Sequence, residues 1–162
     1  MKKIGIVMGS KSDLPVVQKA VDVLKELEIP FEAHILSAHR TPGEAAEFAR
    51  SARDRGFGAV IAFAGMAAHL AGAIAANTTL PVIGVPCKGP VFDGMDALLA
   101  TVQMPSGIPV ATVAVNGGAN AALLAAEILS VEEKELACRL QERRETAAAA
   151  ILEQDAQLEK EL

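Results

Sequence analysis

Five short runs rich in valine, isoleucine and other apolar residues punctuate this chain, at 3–8, 31–37, 59–64, 82–86 and 109–115. Longer stretches with helical spacing of apolar residues separate and follow them, at 13–28, 42–55, 67–77, 94–103 and 119–129. Strands that are apolar on both faces and alternate with helices build a parallel sheet covered on both sides. The expected architecture is a three-layer α/β/α domain around five parallel strands. At 162 residues the chain fits one such domain and can bury a substantial core. Much of its 51% apolar content is alanine, and it has no Trp and no Tyr, so small and branched side chains let helices approach the sheet closely. One helix start is spelled out by Thr41-Pro42-Gly43-Glu44, which offers an N-cap threonine, a proline at the first helical position and a glutamate completing a capping box.

Residues 131–162 follow a different rule. The segment is charged and helix-forming, and no strand follows it. Leu136, Leu140, Ala147, Ile151, Leu158 and Leu162 draw an apolar stripe along one helical face. The stripe either folds back on its own domain or packs on a neighbouring subunit; it is longer than one small sheet can cover. The division expected is an α/β catalytic domain over 1–130 and, over 131–162, a helical extension of that same domain used for oligomerisation.

Several classes of function are excluded. The net charge is −5 and no Lys/Arg block exists, which argues against nucleic acid as a partner. No stretch has the length of a membrane span, and the apolar run after Met1-Lys2-Lys3 is too short for a signal peptide. Cys87 and Cys138 have no metal-ligand spacing and form no disulfide framework, which suits a reducing compartment, the cytoplasm.

In open α/β sheets ligands bind at the carboxyl ends of the strands. After the first strand comes Gly9-Ser10-Lys11-Ser12-Asp13, where a glycine permits close backbone approach and N–H groups and hydroxyls at a helix start suit a phosphate. Taken alone, the segment reads first as ordinary N-capping by Ser12 or Asp13, and Asp13 could serve both roles, capping the helix or accepting hydrogen bonds from a ribose. After the second strand comes Ser37-Ala38-His39-Arg40-Thr41-Pro42. Arg40 has the planar donor fork that suits phosphate, and His39 is a candidate acid and base, since imidazole titrates near neutral pH. After the third comes Gly65-Met66-Ala67-Ala68-His69-Leu70-Ala71-Gly72, whose small residues expose backbone N–H groups to a carboxylate or planar ring. His69 is ambiguous, since a histidine amid alanine and leucine is more often a satisfied structural residue, and His34, inside the second strand, reads as structural or exposed. Lys88-Gly89-Pro90 and Met104-Pro105-Ser106-Gly107 are loops lining a pocket or an interface. Neither a Walker loop nor a GxGxxG fingerprint is present. Without a Ser-His-Asp order, paired carboxylates or a metal cluster, the pattern suits proton transfer by one histidine, with no metal and no cofactor.

These segments, in this order, resemble the N5-carboxyaminoimidazole ribonucleotide mutase family of purine biosynthesis. The resemblance rests on Met8-Gly9-Ser10-Lys11-Ser12-Asp13, Ser37-Ala38-His39-Arg40-Thr41-Pro42, Ala67-Ala68-His69-Leu70, Pro81-Val82-Ile83-Gly84-Val85-Pro86, Val102-Gln103-Met104-Pro105 and Asn120-Ala121-Ala122-Leu123-Leu124-Ala125-Ala126. It spans nearly all of 3–130. It implies a flavodoxin-like sheet of order 2-1-3-4-5 and a homo-octamer with sites at subunit junctions. It implies that Ser10, Asp13, Ser37 and Arg40 bind a ribonucleotide, Arg40 toward the phosphate. His39 would transfer protons, while Gly65, Ala68 and His69 lie near the imidazole and its carboxylate. The implied reaction moves a carboxylate from the exocyclic nitrogen of an aminoimidazole to ring carbon 4. Met66 stands where that family frequently has a second glycine, and Ala71 where it has proline, both in the loop expected to shape the carboxylate site. Two other readings compete: a direct aminoimidazole ribonucleotide carboxylase using CO2, and a non-catalytic flavodoxin-like module binding a flavin or nucleotide. The lack of Trp and Tyr counts against the flavin.

Overall fold

The structure, a computed structural model, describes residues 1–161, the side chains of Glu159 and Glu161 excepted. Five strands, β1 (Lys3–Met8), β2 (Phe31–Ile35), β3 (Phe57–Gly65), β4 (Val82–Cys87) and β5 (Ala111–Thr112), form one sheet of order β2-β1-β3-β4-β5. Every pairing is parallel. The helices are α1 (Leu14–Glu26), α2 (Pro42–Ser51), α3 (Leu70–Ala75), α4 (Met95–Val102), α5 (Gly118–Ser130) and α6 (Lys134–Glu161). The α/β/α architecture and the sheet order 2-1-3-4-5 are as expected.

Side-chain alternation on the central strands builds two cores. Ile4, Ile6 and Met8 of β1 and Ala59, Ile61 and Phe63 of β3 face α1 and α5. Val7, Val60 and Ala62 face α2 and α3. Helix α5 lies so close to α1 that a Cβ on Gly118 would strike the carbonyl of Val16, so that crossing requires glycine.

Three details depart from the sequence reading. Strand β2 is half-exposed along its length because it is the sheet's edge and pairs only with β1. Strand β5 is two residues long instead of seven. Gly84 and Pro86 turn their carbonyls to this side, accepting from Val113 and Asn116 at 3.1 and 2.9 Å. Pro86 has no N–H to return, so the ladder cannot continue past it. The capping box lies elsewhere as well. Thr41 precedes α2, but its hydroxyl makes no cap and instead bonds the backbone of Ser37. The reciprocal box forms at Ser10 and Asp13: the Ser10 Oγ accepts from Ser12 N–H and the Asp13 carboxylate from Ser10 N–H, closing a 3-10 turn over Lys11–Asp13.

Helix α6 divides at Arg144. Its first turns bury Leu136 and Leu140 and tie down through Arg139–Glu28 at 2.9 Å, Arg143–Glu26 at 3.0 Å and Arg144–Glu127. From Arg144 on, every described side chain is exposed, Ala147, Ile151 and Leu158 of the stripe included. Leu162 lies outside the described residues. Folding back on the chain's own domain therefore accounts for the start of the stripe and leaves the rest uncovered. Among the described residues no helix is long and apolar enough to cross a membrane.

Candidate active site

The ends of β1, β2, β3 and β4 open onto a cleft of about 590 Å³, a volume that suits a small-molecule ligand. Its walls are the three loops singled out in the sequence, joined by Lys88, Gly89 and Pro90 after β4. A larger hollow of about 940 Å³ lies toward the opposite edge of the sheet, reached by Gly107 of the Met104–Gly107 loop. Its arginines, Arg50 and Arg53, are already bonded to Asn77 at 3.2 Å and Thr79 at 2.9 Å.

Ser37 organises the turn after β2. Its Oγ accepts the N–H groups of His39 at 3.3 Å and Arg40 at 3.1 Å, and its own N–H donates to Thr41 Oγ1 at 2.8 Å. The turn projects His39 and Arg40 on neighbouring sides of the cleft. Arg40 reaches the end of β1, where Nη2 donates to the Gly9 carbonyl at 2.7 Å. That bond, with a longer one from Nε to Ser37 Oγ at 3.5 Å, fixes the guanidinium plane and leaves the remaining donors for a ligand.

The loop after β3 brings His69 to His39. Nε2 of His39 and Nδ1 of His69 are 2.8 Å apart, and the rings meet edge-on at 82°. His69 sits just before α3, and backbone bonds from Ala68 N–H to the Met66 carbonyl and from His69 N–H to the Ala67 carbonyl set its direction. Ala68 is buried, and Gly65 packs so near Cys87 that a Cβ would lie 3.3 Å from its carbonyl. His34 stays away from the cleft, with Nε2 at 3.5 Å from Glu32 and its ring against Phe48.

Asp13 forms the floor beneath Ser10. Burial pushes its carboxyl above the ordinary 3.8, against the opposing pull of the Ser10 N–H and the Cys87 thiol. Burial and the neighbouring Asp13 push the Cys87 thiol up to about 12. Cys87 is a neighbour of Asp13 that the sequence did not reveal. Its only signal was its place at the end of β4, one strand removed, across β3, from the strand that leads to Asp13. Among the described residues no group of three or more His, Cys, Asp or Glu gathers to hold a metal ion.

One cleft thus joins a fixed cation, a carboxylate and two imidazoles in contact, all at the carboxyl edge of a parallel sheet. The AIR carboxylase family profile matches residues 3–150. The chain belongs to the AIR carboxylase family. An N5-carboxyaminoimidazole ribonucleotide mutase of Bacillus subtilis is 52% identical over 157 residues, covering 96% of this chain and 97% of the relative. A phosphoribosylaminoimidazole carboxylase of Saccharomyces cerevisiae is 52% identical over 139 residues, covering 86% of this chain and 24% of that longer protein. Among solved structures, a PurE of Treponema denticola superimposes with a TM-score of 0.84 at 34% identity, covering 96% of this chain and 97% of the other. Every segment that builds the cleft, from Gly9 to Pro90, falls inside the region shared with the AIR carboxylase family.

Proposed function

We propose that this chain is an N5-carboxyaminoimidazole ribonucleotide mutase of purine biosynthesis. It converts the carbamate on the exocyclic nitrogen to a carboxylate on ring carbon 4. The observation that carries the reading is the His39–His69 contact beside Arg40 in a cleft of nucleotide size. The match to the Bacillus subtilis mutase runs end to end, whereas the match to the yeast carboxylase takes in a quarter of that protein, which favours the mutase over direct carboxylation.

In this reading Arg40 takes the phosphate with the donors that Gly9 leaves free, and Ser10 and Asp13 take the ribose hydroxyls. Ser37 holds the loop that presents Arg40, and its hydroxyl hydrogen remains available to the ligand. Gly65 and His69, on the loop that buried Ala68 anchors, surround the imidazole and the migrating carboxylate. His39 acts as acid and then base. The carbamate carbon–nitrogen bond breaks, its electron pair stays on nitrogen, and His39 delivers a proton there as CO2 departs. Carbon 4 attacks the CO2, and His39 recovers the proton that carbon 4 sheds. The net proton count is zero, so one histidine suffices. His69, hydrogen-bonded to His39, orients the ring. Capture of CO2 within the cleft replaces a bimolecular encounter by a local one.

The exposed second half of α6 supports a further element of the proposal, a cytoplasmic homo-octamer in which that half packs on neighbouring subunits. Parallel turnover assays with N5-carboxyaminoimidazole ribonucleotide and with aminoimidazole ribonucleotide plus bicarbonate test the activity. Rapid conversion of the first and little of the second is expected. Efficient use of the second would assign the chain to direct carboxylation.

A further inference from the structure

Four described non-glycine residues adopt positive φ: Glu28, Met66, Asp93 and Asn116. Asp and Asn enter that region readily, and Glu28 closes the turn after α1. Met66 alone is apolar, and it alone of the four lines the cleft. Its φ of +53° is one that glycine adopts without hindrance and a side chain does not. The hydrogen bond it makes, from Ala68 N–H to its carbonyl at 2.9 Å, uses backbone only and would form equally well with glycine. Backbone geometry thus gives no reason for a side chain here, so the reason lies in where the side chain goes.

It goes across the mouth of the cleft. A Cβ built on Gly89 would lie 3.5 Å from Met66 Cγ, so the thioether chain reaches from the end of β3 to the loop after β4. Met66 is 58% exposed, a large apolar group left in water at the rim. It directly follows Gly65 and stands three residues before His69, at the end of the cleft where the proposed reaction releases CO2. Methionine is unbranched and adaptable, suited to covering a small apolar molecule whose position changes during turnover.

The geometry points to Met66 as a positioning residue that closes the carboxylate end of the cleft, holding CO2 between its departure from nitrogen and its capture by carbon 4. The inference rests on the mutase reading above. CO2 is neutral and makes no strong polar contact, so an apolar cover retains it better than a bonded partner does, and the same cover keeps out water.

The test is label uptake. N5-carboxyaminoimidazole ribonucleotide is converted in isotopically labelled bicarbonate with carbonic anhydrase present, and product is sampled before the carbamate decays unaided. Label in the product measures CO2 that escaped and was replaced. Met66→Gly, which relieves the backbone and so preserves folding, should raise the labelled fraction about threefold or more, because the enclosure is lost. Met66→Leu, which keeps an apolar cover, should stay near the wild type. Equal label in Met66→Gly and the wild type, or an equal rise in Met66→Leu, overturns the inference. Failure of the wild type to convert the carbamate at all is a different result. It removes the mutase reading and the role of Met66 with it.

Discussion

His39 and His69, thirty residues apart in sequence, share a single hydrogen between Nε2 and Nδ1 at 2.8 Å. The contact ties their tautomers together. If His39 donates, His69 must present a bare Nδ1; if His69 donates, His39 must present a bare Nε2. Two imidazolium rings cannot make the contact, since both facing nitrogens would carry a hydrogen. The pair should therefore behave as a unit in kinetics. His39→Asn is expected to lower turnover by about 10²- to 10⁴-fold with folding intact. Adding His69→Asn to that variant should cost little more, although His69→Asn alone is damaging. A double-mutant cycle on kcat decides this, and fully additive losses would show that the two rings act independently.

Arg40 is held by one strong bond, Nη2 to the Gly9 carbonyl. Lysine can supply the charge but not a fixed planar fork. Arg40→Lys should raise KM roughly 10-fold or more, the loss expected for a charge-assisted hydrogen bond, with a smaller change in kcat. Steady-state kinetics separate the two. A fall in kcat at constant KM would move Arg40 from binding to the chemical step.

Asp13 carries a stability cost with a definite sign. Its folded value is raised above 3.8 by burial, so the folded protein holds this proton more tightly than the unfolded chain. Stability from this group is present below 3.8 and is lost as pH rises through the raised folded value. At neutral pH the ionised carboxylate opposes folding. Asp13→Asn should melt higher than the wild type at neutral pH, and the gap should close as pH falls toward 3.8. The same variant should bind the ribonucleotide roughly 10-fold more weakly, having lost a charged acceptor. Thermal melts across pH together with KM check both halves; a lower melting temperature at neutral pH would contradict the sign.

Most of this site is legible in the chain because the fold brings strand ends together as a rule. Gly9–Asp13, Ser37–Thr41 and Gly65–Leu70 each follow a parallel strand, and β1, β2 and β3 are neighbours, so their loops meet. What periodicity cannot supply is side-chain direction. Thr41 sits where an N-cap belongs, yet a competing bond to Ser37 claims its hydroxyl. His69 reads as a structural histidine among alanines until the backbone turn at Met66 and Ala67 aims it at His39. The early end of β5 after Thr112 follows from a missing N–H at Pro86, a pairing effect that no local pattern at 109–115 records. Cys87 was invisible as a neighbour of Asp13 because its role depends on depth within the sheet.

That depth makes Cys87 a chemical probe. It is 3% exposed, and burial beside Asp13 holds the thiol near 12, so little thiolate exists at neutral pH. Peptide mapping after treatment with an alkylating reagent should find Cys87 unmodified in the folded protein and fully modified once it is unfolded. In Asp13→Asn the charge that raises the thiol is removed, and labelling of Cys87 should be measurably faster at alkaline pH. Rapid labelling of the folded wild type would mean that the floor of the cleft opens to solvent.

Helix α6 runs well beyond the residues that anchor it. The helix is anchored by Leu136, Leu140 and three ion pairs up to Arg144, and the seventeen residues 145–161 extend about 25 Å further with Ile151, Leu152 and Leu158 at 63, 68 and 52% exposure. An apolar stripe of that length left in water is unfavourable unless another surface covers it. A chain ending after Arg144 keeps both buried leucines and every arginine anchor. Its secondary structure should therefore be retained, because none of the described side chains it loses is buried on its own subunit. Its assembly should not be. Sedimentation should show a fall from a large oligomer to smaller species, and the melting temperature should become more dependent on protein concentration as the inter-subunit contribution weakens. Unchanged mass in solution would show that the second half of α6 takes no part in assembly, and the proposed oligomer would then have to form through other surfaces such as the exposed Met95, Leu99 and Val102 of α4.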